Sequence, residues 1–359
     1  AQYIINNPEK YGNIQEEQSS EPVSFNGSDE EYFTVEVIPS GGKLRIESTG
    51  FVGGQRRAVH LTLEIGLLGY FTHAVVGLGD TLDLDGIKVK NLVGTVAAYP
   101  GTGVTLPDSR DVVRIPTGSF PEIVFPSDQK PARPNNPPSE TNLTINDIPE
   151  GVDEYIKYYD TLSGNLTIDL DDKTVILGVR ELAVSSIQLN HGPQKKGRLL
   201  LFVEQKFMNN DYSLNWDEES MPDPRDLTIY YSGDEFTMQN KGQKINGNVV
   251  VEKGTVALTG GEIGGDFFTL GTSVTIQGNP LQTSLIYAPN ATVEIKGTAQ
   301  VGSLIAEGFV GGGNAKLIFP FDEGSDTGYI DTFPHGIFGE DYDYSTEEGS
   351  YKRGTWSKG

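Results

Sequence analysis

The sequence predicts an all-β protein built as a parallel β-helix, with an elaborated loop-rich excursion and an irregular C-terminal cap. Three observations carry this expectation. Between 247 and 318, short β-prone runs (Val249–Val251, Thr255–Leu258, Val274–Ile276, Leu285–Tyr287, Val293–Ile295, Leu304–Ile305, Lys316–Phe319) are broken by Gly, Asn or Pro. No helical periodicity intervenes. Glycine is abundant, at 44 of 359 residues, which suits tight corners where positive φ is cheap. Strands this short bury their apolar side only by stacking coil on coil. A sandwich of short antiparallel strands is the alternative. The interruptions are terse for long hairpin loops, which favours the helix, although no exact repeat period can be read.

Taken in order, residues 1–30 form a polar, acidic segment of the kind that packs loosely. Residues 31–125 read as the β-rich first part of the helical core. There YFTVEVI places Phe33, Val35 and Val37 on one face and Tyr32, Thr34, Glu36 and Ile38 on the other. KLRIESTG, AVHLTLEIG and DTLDLDGIKVKNLVGTVAAYP continue the pattern. Residues 126–240 read as a Pro-rich connector followed by an elaborated loop and strand module, the candidate binding region. Its opening, PSDQKPARPNNPPSE, has too few backbone donors to support a ladder and should be a rigid extended connector or surface excursion. A short helix is expected around 150–160, with acids in its first turn, and strands at 165–170, 174–179 and 199–204. Residues 241–319 are the C-terminal coils, and the acidic, aromatic 320–359 is expected to cap a coil end.

Formal net charge is -23, from 50 acids against 27 bases. Such a field repels phosphate backbones and anionic bilayers, which argues against nucleic acid partners and membrane contact. The chain has no cysteine, excluding disulfides and cysteine-ligated metals. Apolar runs stay far below the ~18 residues of a membrane-spanning helix. The opening AQYIINNPEK reads as a cut rather than a natural start, which is compatible with a secreted or anchored parent.

Two stretches resemble proteins encoded with type IV pili. EYFTVEVIPSGGKLRIESTGFVGGQRRAVHLTLE with FTHAVVGLGDTLDLDG resembles the part of minor pilins and pilus-assembly proteins just after their N-terminal helix. SLIYAPNATVEIKGTAQVGSLIAE resembles the repeated-turn motif of their C-terminal β domain. Together they cover roughly a third of the chain. Within that group the whole sequence looks like the C-terminal domain of a tapirin. The resemblance rests on the large cysteine-free β-rich chain, the pilus-type motifs and the aromatic-rich middle. It implies a β-helical, non-catalytic cellulose adhesin on the surface of a thermophilic bacterium, extracellular, with pilus or cell-surface proteins as further partners.

Binding a neutral polysaccharide calls for flat rings to stack on sugar C–H faces, flanked by amides and acids that reach hydroxyls. Two segments supply this chemistry. One is Tyr155, Tyr158 and Tyr159 with Asp153 and Asp160; the other is Tyr212 and Trp216 with Asn209, Asn210 and Asn215. Rings in such polar sequence are expected at the surface, against the plainer reading that they pin loops to the β core. Tyr230 and Tyr231, and the terminal Tyr342, Tyr344, Tyr351 and Trp356, are weaker candidates. Catalysis finds little support. Acids such as Asp217, Glu218 and Glu219 read as a solvated run, and no spacing singles out an acid–base pair. The four histidines, His60, His73, His191 and His335, make no ligand pattern, and GxSxG and P-loop motifs are absent. No catalytic residue, metal site or cofactor is therefore expected. Structural calcium is conceivable at Asp83 and Asp85, without the ligand spacing of an EF-hand. The glycine cluster at 308–316 reads as coil corners. The leading expectation is a non-catalytic adhesin for cellulose. The alternatives are a structural type IV pilus-associated protein-binding component and a β-helical glycoside hydrolase.

Overall fold

The computed structural model describes residues 71–319 except 72, 116, 118–119, 147, 150, 193–196 and 208–210. It also describes strands between 18 and 64 and the pairs 333–334, 337–338, 352–353 and 357–358. The main body is a parallel β-solenoid of about 12 turns. No α-helix occurs among the described residues; Val89–Asn91 and Pro224–Asp226 are single 3-10 turns.

Each coil contributes to three parallel ladders. The first runs through Leu201, Ile229, Val249, Phe267, Ile286, Leu304, Val75 and Val96, register partners one after another. These side chains point into the solenoid. Their chain neighbours Phe202, Tyr230, Val250, Phe268, Tyr287 and Ile305 belong to a second apolar cluster on the outside of the same sheet. This sheet is thus buried on both faces, so its strands read as continuous apolar runs such as NVVV and FFT. The second ladder, through Glu235–Met238, Thr255–Leu258 and Ser273–Ile276, alternates exposed and buried positions, as a one-sided sheet must. The third carries Leu166, Ile187, Leu214, Ile245 and Ile263 inward.

The order of coils in space is not chain order. The stack begins at Ser139–Ile145 and proceeds to Lys316–Ile318. It then continues into strands from much earlier in the chain, because Gln300–Gly311 pairs with both Val75–Gly77 and Thr81–Asp83. After Val112–Arg114 at that end, the chain returns to the other end as a strap over the outer face of the first sheet. Phe125 meets Phe202 and Tyr230 at 6.4 and 5.6 Å between ring centroids. Tyr287 Oη donates to the Pro121 carbonyl at 2.5 Å. Further along, Lys130 pairs with Glu204 at 2.9 Å and Arg133 with Asp160 at 3.2 Å. A proline-rich segment suits this course, since it runs extended and lacks the N–H groups that would otherwise need ladder partners. Where the strap crosses Gly178, a Cβ would lie 2.6 Å from the Tyr158 ring and 3.2 Å from Pro131. Glycine makes that close approach feasible.

A buried polar column stitches one corner. Asn248 Oδ1 accepts the Asp266 amide at 2.8 Å, and Asp266 Oδ1 accepts the Leu285 amide at 3.0 Å. Across the junction of early and late coils, Ser303 Oγ donates to the His73 carbonyl at 2.6 Å. Turning backbone inward without such partners would leave buried amides unsatisfied.

Two expectations are corrected. Residues 31–64 do not join the solenoid ladder. Glu31–Ser40, Lys43–Val52 and Gln55–Glu64 form the centre of a separate antiparallel sheet, joined by short strands at Gln18–Ser19, Val23–Ser24, Lys352–Arg353 and Ser357–Lys358. Ser40 pairs with Lys43 and Val52 with Gln55, and the intervening Gly-Gly pairs are a hairpin composition. The helix expected near 150–160 is instead the start of the strand Glu154–Asp169. Its Tyr, Ile and Tyr residues are strand formers, and the ladder with Thr174–Asn190 outweighs the acids that suggested a helix start. Of the expected C-terminal cap, Phe333, Ile337 and Phe338 pack into the strap-side cluster; most of 320–359 lies outside the described residues.

Candidate functional site

Among the described residues, two expected aromatics are only half-buried, Tyr155 and, in the loop after Tyr212–Leu214, Trp216. Asn215 sits at the corner with φ 50 and is buried; its Nδ2 donates to the Asn246 carbonyl at 3.0 Å. Asn246 Nδ2 in turn donates to the Pro222 carbonyl at 2.7 Å. These bonds hold both ends of the 215–222 loop against the next coil. Asp217 Oδ1 accepts the Glu219 amide at 3.0 Å, tightening the tip.

Within this loop Trp216 is half-buried, with the Lys244 ammonium 5.2 Å from its ring centroid. Lys244 also pairs with Glu218 at 2.5 Å. The ring edge lies over Gly264, where an added Cβ would sit 3.6 Å from both the Trp216 ring and the Met221 methyl. Met221 is 50% exposed. Glu262, the register partner of Lys244, has its carboxyl pushed up by burial and by Glu218, against the pull of Lys244. The Lys244 hydrogen bond holds Glu218 below the ordinary carboxylate range. The patch therefore gathers a half-buried indole under a lysine ammonium, a thioether, and two carboxylates of opposed acidity, fixed on a rigid sheet.

The other expected residues separate. Tyr212 is 2% exposed and points inward against Phe207, at 5.6 Å between centroids; the exposure expected for it is corrected. The reason is strand alternation, which turns Tyr212 and Leu214 inward together. Tyr158 and Tyr159 are also buried, at 4% and 1%, and neither ring is open to a flat ligand. Tyr158 lies under the strap beside Gly178, while Tyr159 joins the interior. Tyr155 is half-buried against the same interior. Lys157 sits over Tyr159 at 5.4 Å, and that neighbour is the main reason its ammonium is raised above the usual range. Asp153 is exposed, its carbonyl accepting the Thr174 amide at 3.1 Å. Asp160 is held below the usual carboxylate range by its Arg180 hydrogen bond, with Arg133 adding to the effect; it clamps the strap. Tyr230 and Tyr231 are both buried. Asn209, Asn210, Tyr342, Tyr344, Tyr351 and Trp356 lie outside the described residues.

Asp83 Oδ1 accepts the Asp85 amide at 3.2 Å. No group of three or more His, Asp or Glu side chains placed to hold a metal occurs among the described residues. His191 pairs with Asp226 at 2.9 Å, and burial raises the Asp226 carboxyl. Lys244, Glu262 and Gly264 were not legible as site residues, because only the coil register brings them to Trp216.

The fold and patch define a β-solenoid that presents rigid outer faces. No protein-family model and no curated protein matches the chain. Among solved structures, the competence-associated pilin ComZ from Thermus thermophilus is similar at 10% identity, over 96% of this chain and 87% of that one. The TM-score is 0.20, too low to argue from.

Proposed function

We propose that this chain is a non-catalytic extracellular surface protein that binds insoluble neutral polysaccharide, cellulose in the first place, in the manner of the tapirins it resembles. The observation that carries this reading is the Trp216 patch. A half-buried indole beside the exposed Met221 sits next to the Glu218 and Glu262 carboxylates, held on a sheet by the Asn215–Asn246–Pro222 bonds. Little ordering would be needed on binding, which lowers its entropic cost. A neutral ligand also fits a chain whose net charge of -23 would repel polyanions.

A second reading, a pilus-associated protein-binding component, has its own support. The strand Glu154–Asp169 pairs with Ser139–Ile145 only from Thr161 onward. Beside residues 154–159, which have no ladder partner on that side among the described residues, Ile156 is 55% and Val152 38% exposed, an arrangement suited to strand addition by another chain. Incubation with washed cellulose, chitin and xylan separates the readings. Retention on cellulose without sugar release supports the first. No retention on any matrix removes it in favour of the second, and soluble reducing sugar would mean a hydrolase.

A further inference from the structure

We infer that the one-sided sheet of the solenoid is a second polysaccharide surface, which adsorbs to the crystalline face of an insoluble neutral glucan through ordered hydroxyls rather than aromatic stacking. This rests on the polysaccharide reading above and assigns it a different contact. The sheet runs over seven successive rungs, from Glu235–Met238 through Thr255–Leu258 and Ser273–Ile276 to Gly103–Thr105. Inward positions such as Val256, Val274 and Val293 are sealed in the core. Their outward neighbours in one column include Thr255, Ser273, Thr292 and Thr81, all exposed and all bearing a hydroxyl. The adjacent column holds Ala257 and Thr275.

Rungs of one sheet are spaced about 4.8 Å apart, and alternate residues along a strand about 6.7 Å. The hydroxyls therefore form a lattice with no large side chain standing above it over 255–259 and 273–276, and the exposed Gln277 stands at its margin. Charge points the same way. In a chain of net charge -23, those two rungs carry no ionised group. The next carries Glu294 and Lys296, paired at 2.5 Å, and the one after has only Gly308, Val310 and Gly312 outward. Four consecutive rungs are net neutral. Such a surface complements an uncharged, periodic, hydroxyl-bearing solid. Seven rungs by two outward strand positions cover about 450 Å², little more than half of the roughly 800 Å² that each partner contributes to a standard protein interface. A second copy or another globular protein would be poorly held there. A solid presenting the same motif repeatedly would hold many molecules, each by many weak bonds.

The Trp216 loop follows a strand of the third ladder, so its patch and the hydroxyl sheet do not lie in one plane. The two contacts can be tested apart. Thr275→Arg and Ala257→Arg place a long charged side chain on the flat sheet, and Thr275→Val keeps shape while removing one hydroxyl. Each is compared with Trp216→Ala for adsorption to microcrystalline cellulose and to swollen, amorphous cellulose, with far-UV circular dichroism and thermal midpoint checking the fold. Expected is a loss of about tenfold or more in crystalline adsorption for the arginine variants. A smaller loss is expected for Thr275→Val, with binding to amorphous cellulose kept. Trp216→Ala should show the opposite preference. Folded arginine variants that adsorb to crystalline cellulose like the wild type would overturn this inference and leave the polysaccharide reading standing. A wild-type protein retained on neither cellulose would overturn both.

Discussion

Replacing Tyr212 by Phe should stabilise the protein, although a sugar-stacking role would make the hydroxyl a useful donor. The Tyr212 ring is 2% exposed, inside the solenoid, at an edge-on contact with Phe207. Its hydroxyl is buried and has no hydrogen-bond partner among the described residues, and burial pushes its pKa up. A buried hydroxyl without a partner costs about 1–3 kcal/mol relative to an apolar group of the same shape. Tyr212→Phe keeps the ring contact and removes that cost, so a gain of about 1 kcal/mol is expected. Tyr212→Ala removes the ring and leaves a cavity, for a loss of about 3–5 kcal/mol. Urea titration followed by circular dichroism reads both as shifts in midpoint at unchanged slope. Loss of 1 kcal/mol or more in Tyr212→Phe would refute the reasoning, since it would mean that the hydroxyl is bonded in the folded protein. Loss of cellulose retention at unchanged stability would place Tyr212 in a binding surface.

Three further outcomes follow from the packing. His73, at the junction of early and late coils, is shielded enough to lower its pKa from 6.5 to about 4. Its contribution is complete above pH 6.5 and is lost as pH falls toward 4, where the unfolded chain binds a proton that the folded one refuses. At 1.36 kcal/mol per pH unit this amounts to at most roughly 3 kcal/mol. His73→Gln should flatten the stability profile over that window, and an unchanged profile would contradict the shielding. Gly178→Val should cost about 1–3 kcal/mol by forcing Tyr158 and Pro131 apart, read by urea midpoint; a neutral result would mean that the strap does not press there. Phe125→Ala should likewise cost about 2 kcal/mol, because the ring bridges strap to sheet only in part buried, and limited proteolysis should then cut within 120–138 first.

Much of the solenoid can be read from residues. Runs such as Val249–Val251 are apolar without alternation because strap and interior cover both sides of that sheet. TVAL and SVTI alternate because one side is open. The strap's extended course was legible as prolines that no ladder could use, although its path back along the stack was not. What stayed hidden depends on register. Nothing near Val75 in sequence announces that it stacks on Leu304, and coil lengths vary too much to align by eye. The site suffered for a related reason. Polar neighbours in sequence suggested that Tyr212 and Asn215 were exposed, yet a strand sends every second residue inward, and the Asn215 amide closes a corner. Trp216 reached the surface because the loop turns just after that corner.

Whether a neutral solid is the ligand can be read from the adsorption isotherm of the wild-type protein on microcrystalline cellulose, from low salt to about 1 M. At that ionic strength, interactions between exposed charges are screened within about 3 Å. Saturable adsorption whose affinity changes little across the series, with no sugar released, is expected. Adsorption that disappears as salt rises, or that never exceeds an inert matrix, would contradict it.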